Sequence, residues 1–405
     1  MGKKLGDVFP LKDPAKRVLF IPKLMLEAVN FWPEKRNRCT KITNWIFIMT
    51  CVIVECGQIA FVIENMSDFT KIASALTTIS TTFQSIVKLT VLYFNSDTLS
   101  SILSQIWRKF WPANIAGAKT ENQIRTFNMI FICTDVAMFV SGFLFAFGFL
   151  SLPLRVGSRV LPFESVYPFD WSKSPFYEVI YVVQWMTNIA LILVGICGHD
   201  YLFMGICNNV ISQYILLKEV IKNLGKLEAE TINRKFLGLS ASSSKNKIAD
   251  EDTKLLQSCI DQHAMLTHVC KQVENIFNIS SGIQLVASVT ALCMAAFIVT
   301  LGETDFTILT TVGVYLLGHL LQLFLFCILG NEVTYHANDF PVSVFSSEWY
   351  NVEKLNIKKD IQFVIARAQR QVKFSALGIM PLDMQTFISV LRLSFSFYTM
   401  LSTMA

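Results

Sequence analysis

Charge is scarce in this 405-residue sequence: only 16% of its residues are Asp, Glu, Lys or Arg, where a soluble globular protein carries roughly 25%. The shortfall argues against an ordinary soluble enzyme. The excess of base is small, 35 Lys and Arg against 30 Asp and Glu, and no nucleic-acid partner is implied by it. Metal-site spacing is missing too. No two of the ten cysteines stand as C-x-x-C and the five histidines are scattered, so neither a metal nor another cofactor is expected. No nucleophile sits with a base and no carboxylates pair, so no catalytic residue and no enzymatic activity are expected. His199-Asp200 comes nearest to an acid–base pair. Neighbours on a helix point about 100° apart, and the two read as a polar cap at a membrane border. The first forty residues lack an apolar stretch long enough for a signal peptide, so the N-terminus is expected to be retained and cytoplasmic.

What the chain has in abundance is apolar length. Hydrophobic residues make up 53%, and 33 Phe are spread along the whole sequence. A bilayer core needs about 20 mostly apolar residues per helix, and seven segments meet that: Ile42 to Ile63, Ile72 to Tyr93, Phe127 to Leu152, Phe176 to Met204, Ser281 to Leu301, Phe306 to Gly330 and Leu382 to Met404. The expected class is an all-α membrane protein with seven transmembrane helices. The second and seventh spans are the least apolar. Thr77, Thr78, Ser80, Thr81, Thr82 and Gln84 make the second polar enough for one face to line protein or water. Glu55, Lys88, Asp135 and Arg392 also fall within spans, where ionisable groups are usually paired or face a cavity.

Basic residues set the orientation. Residues 1–41, 94–126, 205–275 and 331–375 hold 29 of the 35, while the alternate loops hold Arg155, Arg159 and Lys173. The positive-inside rule therefore expects the N-terminus in the cytoplasm and the C-terminus outside. That frame puts the sequon Asn65-Met66-Ser67 outside. It leaves no cysteine in an outer loop for a disulfide. The chain divides into 1–204, an N-terminal segment with spans one to four; 205–280, a cytoplasmic helical loop; 281–330, spans five and six; 331–381, cytoplasmic anchor helices; and 382–405, the last span. Leu217, Val220, Ile221 and Leu224 recur at helical spacing, as do Ile361, Val364, Ile365 and Ala368. The fourth and sixth spans are thus expected to continue as amphipathic helices below the membrane. The polar run from Leu239 to Lys247 reads as a flexible linker. No internal repeat is visible, which counts against an inverted-repeat secondary transporter, the competing class.

The second outer loop reads Leu161-Pro162-Phe163, then Tyr167-Pro168-Phe169-Asp170 and Ser174-Pro175, followed by Tyr177, Tyr181 and Gln184. Near the C-terminus come Phe345-x-Ser347-x-Trp349-Tyr350, Arg367-x-Gln369, and then Gly378, Leu382 and Phe387. Together these resemble the insect odorant receptors over nearly the whole chain. Gln371 stands where the family usually has a proline. The Thr-Tyr, five-apolar, Gln-Phe signature of a gustatory receptor, the other alternative, is not matched by Phe397-Tyr398-Thr399-Met400-Leu401. The second inner loop is shorter than the family's co-receptor has, so the chain looks like a ligand-tuning subunit.

The resemblance implies an odour-gated, non-selective cation channel in the plasma membrane of olfactory neuron dendrites. It also implies a tetramer assembled with the insect odorant co-receptor through cytoplasmic anchor helices, with the last span lining a shared pore. A pocket for a small, volatile, neutral odorant is expected in the outer half of spans two, three, four and six. Thr77, Ser80, Thr81 and Gln84 supply one wall. Met138, Ser141, Gly142 and Phe145 supply a second, Tyr181, Trp185 and Asn188 a third, and Thr311, Val314 and Tyr315 a fourth. No carboxylate or base belongs to this set, so an ester, alcohol, aldehyde or terpenoid suits it better than an amine or an acid. Trp349 and Tyr350, with the Ile361, Val364, Ile365 and Ala368 stripe, are expected to meet neighbouring subunits. The resemblance places the narrow part of the pore at Met400, Thr403 and Met404. Arg392 and Ser396 fall near the same helical face.

Overall fold

The computed structural model describes residues 17–150, 158–226, 245–300, 306–352 and 354–404. Seven long helical rods occupy the places of the predicted spans. They are α2 (Arg38–Glu64), α3 (Phe69–Phe94), α5 (Ala118–Leu150), a fourth rod running from α6 (Phe176–Ala190) into α7 (Tyr201–Ile221), α8 (Lys245–Thr300), α9 (Phe306–Asn338) and α12 (Met384–Met404). Shorter helices attach at one end: α1 (Phe20–Ala28), α4 (Ser96–Arg108), α10 (Phe340–Phe345) and α11 (Leu355–Ala368). Among the described residues five rods are long and apolar enough to cross a membrane. The two below that mark are α3 and α12, the rods with the hydroxyl-rich and polar sequences.

Local chemistry sets the helix starts. At α2 the Asn37 side chain accepts from the Thr40 amide, while Thr40 Oγ1 accepts from the Asn37 amide, both at 2.8 Å. A reciprocal cap of this kind is worth about 1 kcal/mol. Asp68 Oδ1 accepts from the Lys71 amide at the start of α3 (3.2 Å).

Between α6 and α7 the fourth rod passes through a π-helical stretch, Leu191–Asp200. Wider turns of this kind re-aim side chains without breaking the rod. Two glycines let neighbours close on it. A Cβ on Gly195 would stand 2.8 Å from Ser85 Oγ on α3, and one on Gly198 would stand 2.5 Å from Leu26 on α1. These contacts seat the stretch between α1 and α3.

The 56-residue α8 is the spine, packing along α3, α7, α9 and α12. It passes through positions 280 and 281 without a break, so the division expected there does not interrupt the helix. Of the polar run read as a linker, 239–244 lie outside the described residues, whereas Lys245, Asn246 and Lys247 open α8. That part of the expectation is corrected: helix propagation reaches back into it.

Below the bundle α7 departs from the amphipathic expectation. Every residue from Tyr201 to Ile221 except Glu219 is buried, because α1, α8, α9, α10 and the turn Ala113–Ala116 surround it. A helix enclosed on all sides needs no polar stripe. A second correction concerns the sixth span. It continues as α9 to Asn338, but the Ile361 stripe lies on the separate helix α11, after α10 and a one-turn 3₁₀ segment, Trp349–Asn351. A two-stranded antiparallel hairpin, Ser375–Ala376 with Met380–Pro381, then bridges to α12. Its Ser375 hydroxyl donates to Glu274 on α8 (2.8 Å), and its Leu377 amide donates to the Asn278 carbonyl (3.2 Å).

Candidate functional site

The second and sixth spans meet through hydroxyls. The Tyr315 hydroxyl on α9 lies 2.9 Å from both Thr81 Oγ1 and the Thr77 carbonyl on α3. On α3 itself Ser80 and Thr81 also donate back to the Thr77 carbonyl (3.0 and 2.9 Å). The polarity of this span is therefore spent inside the bundle, with no formal charge among these groups.

One turn further along each helix lie Gln84 and His319, both buried. Neither amide atom of Gln84 has a hydrogen-bond partner, and neither does Nδ1 of His319. The His319 ring packs against Tyr315 with centroids 4.5 Å apart. One more turn brings Lys88 and Gln322, and here the structure overturns a reading. His199 and Asp200 do not cap a membrane border; they are fully buried in the interior and bonded to each other, Nδ1 to Oδ1 at 2.8 Å. The π-helical stretch alters the angular spacing that an α-helix would impose. Asp200 also pairs with Lys88 Nζ (2.8 Å) and accepts from Gln322 Nε2, while Lys88 donates to Gln284 Oε1 (2.7 Å). Four rods thus converge on one neutralised ion pair, and three polar layers step inward from Thr81.

A loop closes the end of the bundle away from α1. Leu161, Phe163 and Ser165 are buried. Gln184 on α6 holds them: its carbonyl oxygen accepts from the Phe163 amide (2.9 Å), and its Nε2 donates to Ser165 Oγ (3.2 Å) and the Tyr167 hydroxyl (2.9 Å). The Val166 amide donates to the Gly57 carbonyl on α2 (3.0 Å). Glu164 bonds Ser74 on α3.

The remaining expected wall residues divide. Met138 and Asn188 are buried, Tyr181 and Trp185 are half-buried, and Gly142 packs against Ile192 of the π-helical stretch. Ser141 and Val314 face out of the chain. Both are corrected as wall residues. On α5 the buried line runs Phe131, Asp135, Met138, which turns Ser141 to the flank, and on α9 Tyr315 turns inward while Val314 does not. The side chains of Phe145, Thr311 and Met404 lie outside the described residues.

Further along, α12 presents Val390 and Ser394 to the chain's interior, whereas Arg392, Ser396, Met400 and Thr403 are exposed. On α11 the stripe is split. Ile361 is 1% exposed and Ala368 is 3% exposed, so they pack within the chain and are not available to a neighbour, while Val364 and Ile365 are half-buried. Ile361 as a subunit contact is thereby corrected: it is already buried within its own chain. Trp349 is half-buried and Tyr350 is exposed. Leu355 and Phe363, which the spacing argument passed over, stand out from α11.

Sequence reasoning missed His319, Gln284 and Gln322 as core polar groups. Their spacing from Tyr315 by four and seven residues was the available signal for two of them. Gln184 stands in the motif that follows this loop, but its role as the loop's anchor was not read from it.

Comparison with known proteins shows that residues 68–395 match the 7tm Odorant receptor family. Odorant receptor Or1 of Anopheles gambiae is 23% identical over 99% of both chains. Odorant receptor 83a of Drosophila melanogaster is 24% identical over 78% of this chain and 77% of that one. The fold is similar to that of the olfactory receptor OR5 from Machilis hrabei, solved in complex with eugenol. The TM-score is 0.75 at 19% identity, covering 96% of this chain and 98% of that one.

Proposed function

Because this chain belongs to the 7tm odorant receptor family, whose members are in general subunits of ligand-gated cation channels, we propose that it is a ligand-tuning subunit. In this reading it takes a small, neutral, volatile odorant in the outer half of its bundle and opens a pore shared with the insect odorant co-receptor. The observation that carries the reading is the middle polar layer. Gln84 and His319 are buried with unpartnered polar atoms between the Thr81–Tyr315 contact and the neutralised Lys88–Asp200 pair. Buried polar groups without partners are costly. A ligand hydroxyl or carbonyl satisfies them, while the absence of net charge disfavours an ammonium or a carboxylate.

The orientation follows the basic residues, with the α1 end in the cytoplasm. The loop anchored by Gln184 then covers the outer end, and α12 reaches the outer mouth of the pore. Exposure of Met400 and Thr403 supports their meeting other subunits there, with apolar side chains closing the path by dewetting. Exposed Tyr350 and half-buried Trp349 and Ile365 support a cytoplasmic contact between subunits. The protein works in the plasma membrane of sensory dendrites.

The test is expression with and without an insect odorant co-receptor, recording currents against a volatile panel. Current is expected only from the pair. Thr81→Ala, Tyr315→Phe and Phe145→Ala should each move the half-maximal concentration about three- to tenfold, the loss of roughly one hydrogen bond or contact. Met400→Ala should raise ligand-free current, and Arg392→Gln should raise cation conductance. Unmoved dose-responses in all three pocket variants would remove the pocket from this place.

A further inference from the structure

At the α1 end of the bundle, where α2 begins and α3 ends, lies a small, partly enclosed cleft. It belongs to no part of the odorant site. Its wall includes Asn30, Trp32, Arg36, Asn44, Tyr93 and Ser96. Asn30 adopts a left-handed backbone (φ 61°), and its carbonyl accepts from Asn44 Nδ2 (3.2 Å). This turn folds the Trp32 segment back against the end of α3.

Arg36 is fixed but not saturated. Nη1 donates to the Tyr93 carbonyl at 2.7 Å, and the guanidinium lies 4.7 Å from the centre of the Tyr93 ring. Its Nε is buried with no acceptor. Ser96 is 4% exposed, and its Oγ has no partner either. Two buried groups able to donate therefore line one cleft with nothing to receive them, which is the donor pattern a phosphate oxygen satisfies.

The surrounding charge agrees. Among the described ion pairs Lys35 and Lys23 both go to Glu27, while Arg36, Arg38 and Lys41 go to none. The opposing acids are Glu34, which accepts from the Trp32 indole (3.0 Å), and exposed Asp97 beside Ser96. The balance around the cleft stays positive. Directly past the cleft α2 exposes Ile42, Trp45, Ile46 and Met49, an apolar strip leading into the hydrocarbon region. Trp45 and Tyr93 sit side by side with ring centroids 5.9 Å apart, as aromatic side chains do at the headgroup level.

We propose that this cleft binds the phosphate of an anionic phospholipid in the adjoining leaflet. Arg36 and Ser96 donate to the phosphate, Arg38 and Lys41 attract it, and the acyl chains lie along the exposed strip of α2. A free phosphate ion shares the headgroup's chemistry, but it makes no use of that strip. Basic clusters beside a span attract anionic lipid.

The test uses the full chain in detergent, with lipid retention read by native mass spectrometry. The probes are phosphatidylinositol phosphate, phosphatidylcholine of equal chain length and inorganic phosphate. Preferential retention of the anionic lipid is expected. Arg36→Gln and Ser96→Ala should each reduce it about tenfold, the equivalent of one charge-assisted bond. Arg38→Gln with Lys41→Gln, at exposed positions, should reduce it several-fold and leave the melting temperature unchanged. That double variant keeps the test valid if Arg36→Gln fails to fold. Equal retention of the two lipids by the natural chain would overturn the proposal, as would full retention by folded variants. Inorganic phosphate that binds at the same residues without displacing the lipid would overturn the lipid as the source.

Discussion

Removing Lys88 should do more harm than removing Lys88 and Asp200 together. Lys88 is 1% exposed and Asp200 is fully buried, and they are joined at 2.8 Å. In Lys88→Met the Asp200 carboxylate keeps the His199 Nδ1 contact and the Gln322 amide, but no cation remains to balance it. Breaking one side of a buried pair costs about 3–5 kcal/mol. In Asp200→Asn the ammonium retains Gln284 and the face of Phe326, 5.7 Å away. Cation–π attraction offsets only about 1–2 kcal/mol of the loss. The double variant has no unbalanced charge, so its destabilisation should fall about 2–3 kcal/mol short of the sum of the singles, at the upper end of the coupling contacting residues show. Apparent melting temperature of the full chain in detergent reads this, with Lys88→Met expected to fall by roughly 5 °C or more. If Lys88→Met melts with the natural chain, or if the double variant loses as much as both singles added, the pair does not carry the core charge balance.

Gly195→Ala should cost about 1–3 kcal/mol, because the new Cβ would stand 2.8 Å from Ser85 Oγ in a packed interface; Ser85→Gly in the same chain should restore the melting temperature. Toward the α10 end of the bundle, burial pushes the His263 imidazole down to about 4, with nearby Arg367 adding to the effect. Burial and Lys218 do the same to His336, also to about 4, against the pull of Asp339. The unfolded chain then binds more protons than the folded one between about 6.5 and 4. Stability is complete above that window and is lost as pH falls through it, by about 1.4 kcal/mol per pH unit for each histidine. Melting from pH 7 to pH 5 should show the fall, and His263→Gln should flatten it; an unchanged slope would clear His263. Phe363→Asp, at a position 74% exposed, should weaken co-purification with the proposed co-receptor partner while leaving the isolated chain's melting temperature in place. Ile361→Asp should destabilise the chain itself, and the reverse pattern would return Ile361 to the interface.

Seven apolar lengths, the weakness of the second and seventh, and the motifs of the outer loop and the C-terminal region were legible in the linear order of residues. Hydrophobic length and helical period are local quantities, written within about 20 neighbours. For the same reason the hydroxyls of α3 announced an inward face before any partner was known. Which groups answer that face is a matter of contact between distant segments. Lys88 finds Asp200 across 112 positions and Thr81 finds Tyr315 across 234, separations at which no periodicity survives. Tertiary packing also reversed three readings. It turned His199 and Asp200 inward on a π-helical stretch, wrapped α7 on every side, and buried Ile361 within the chain. A one-dimensional pattern shows that a side is apolar; only the packed chain decides whether its own helices or something else covers that side.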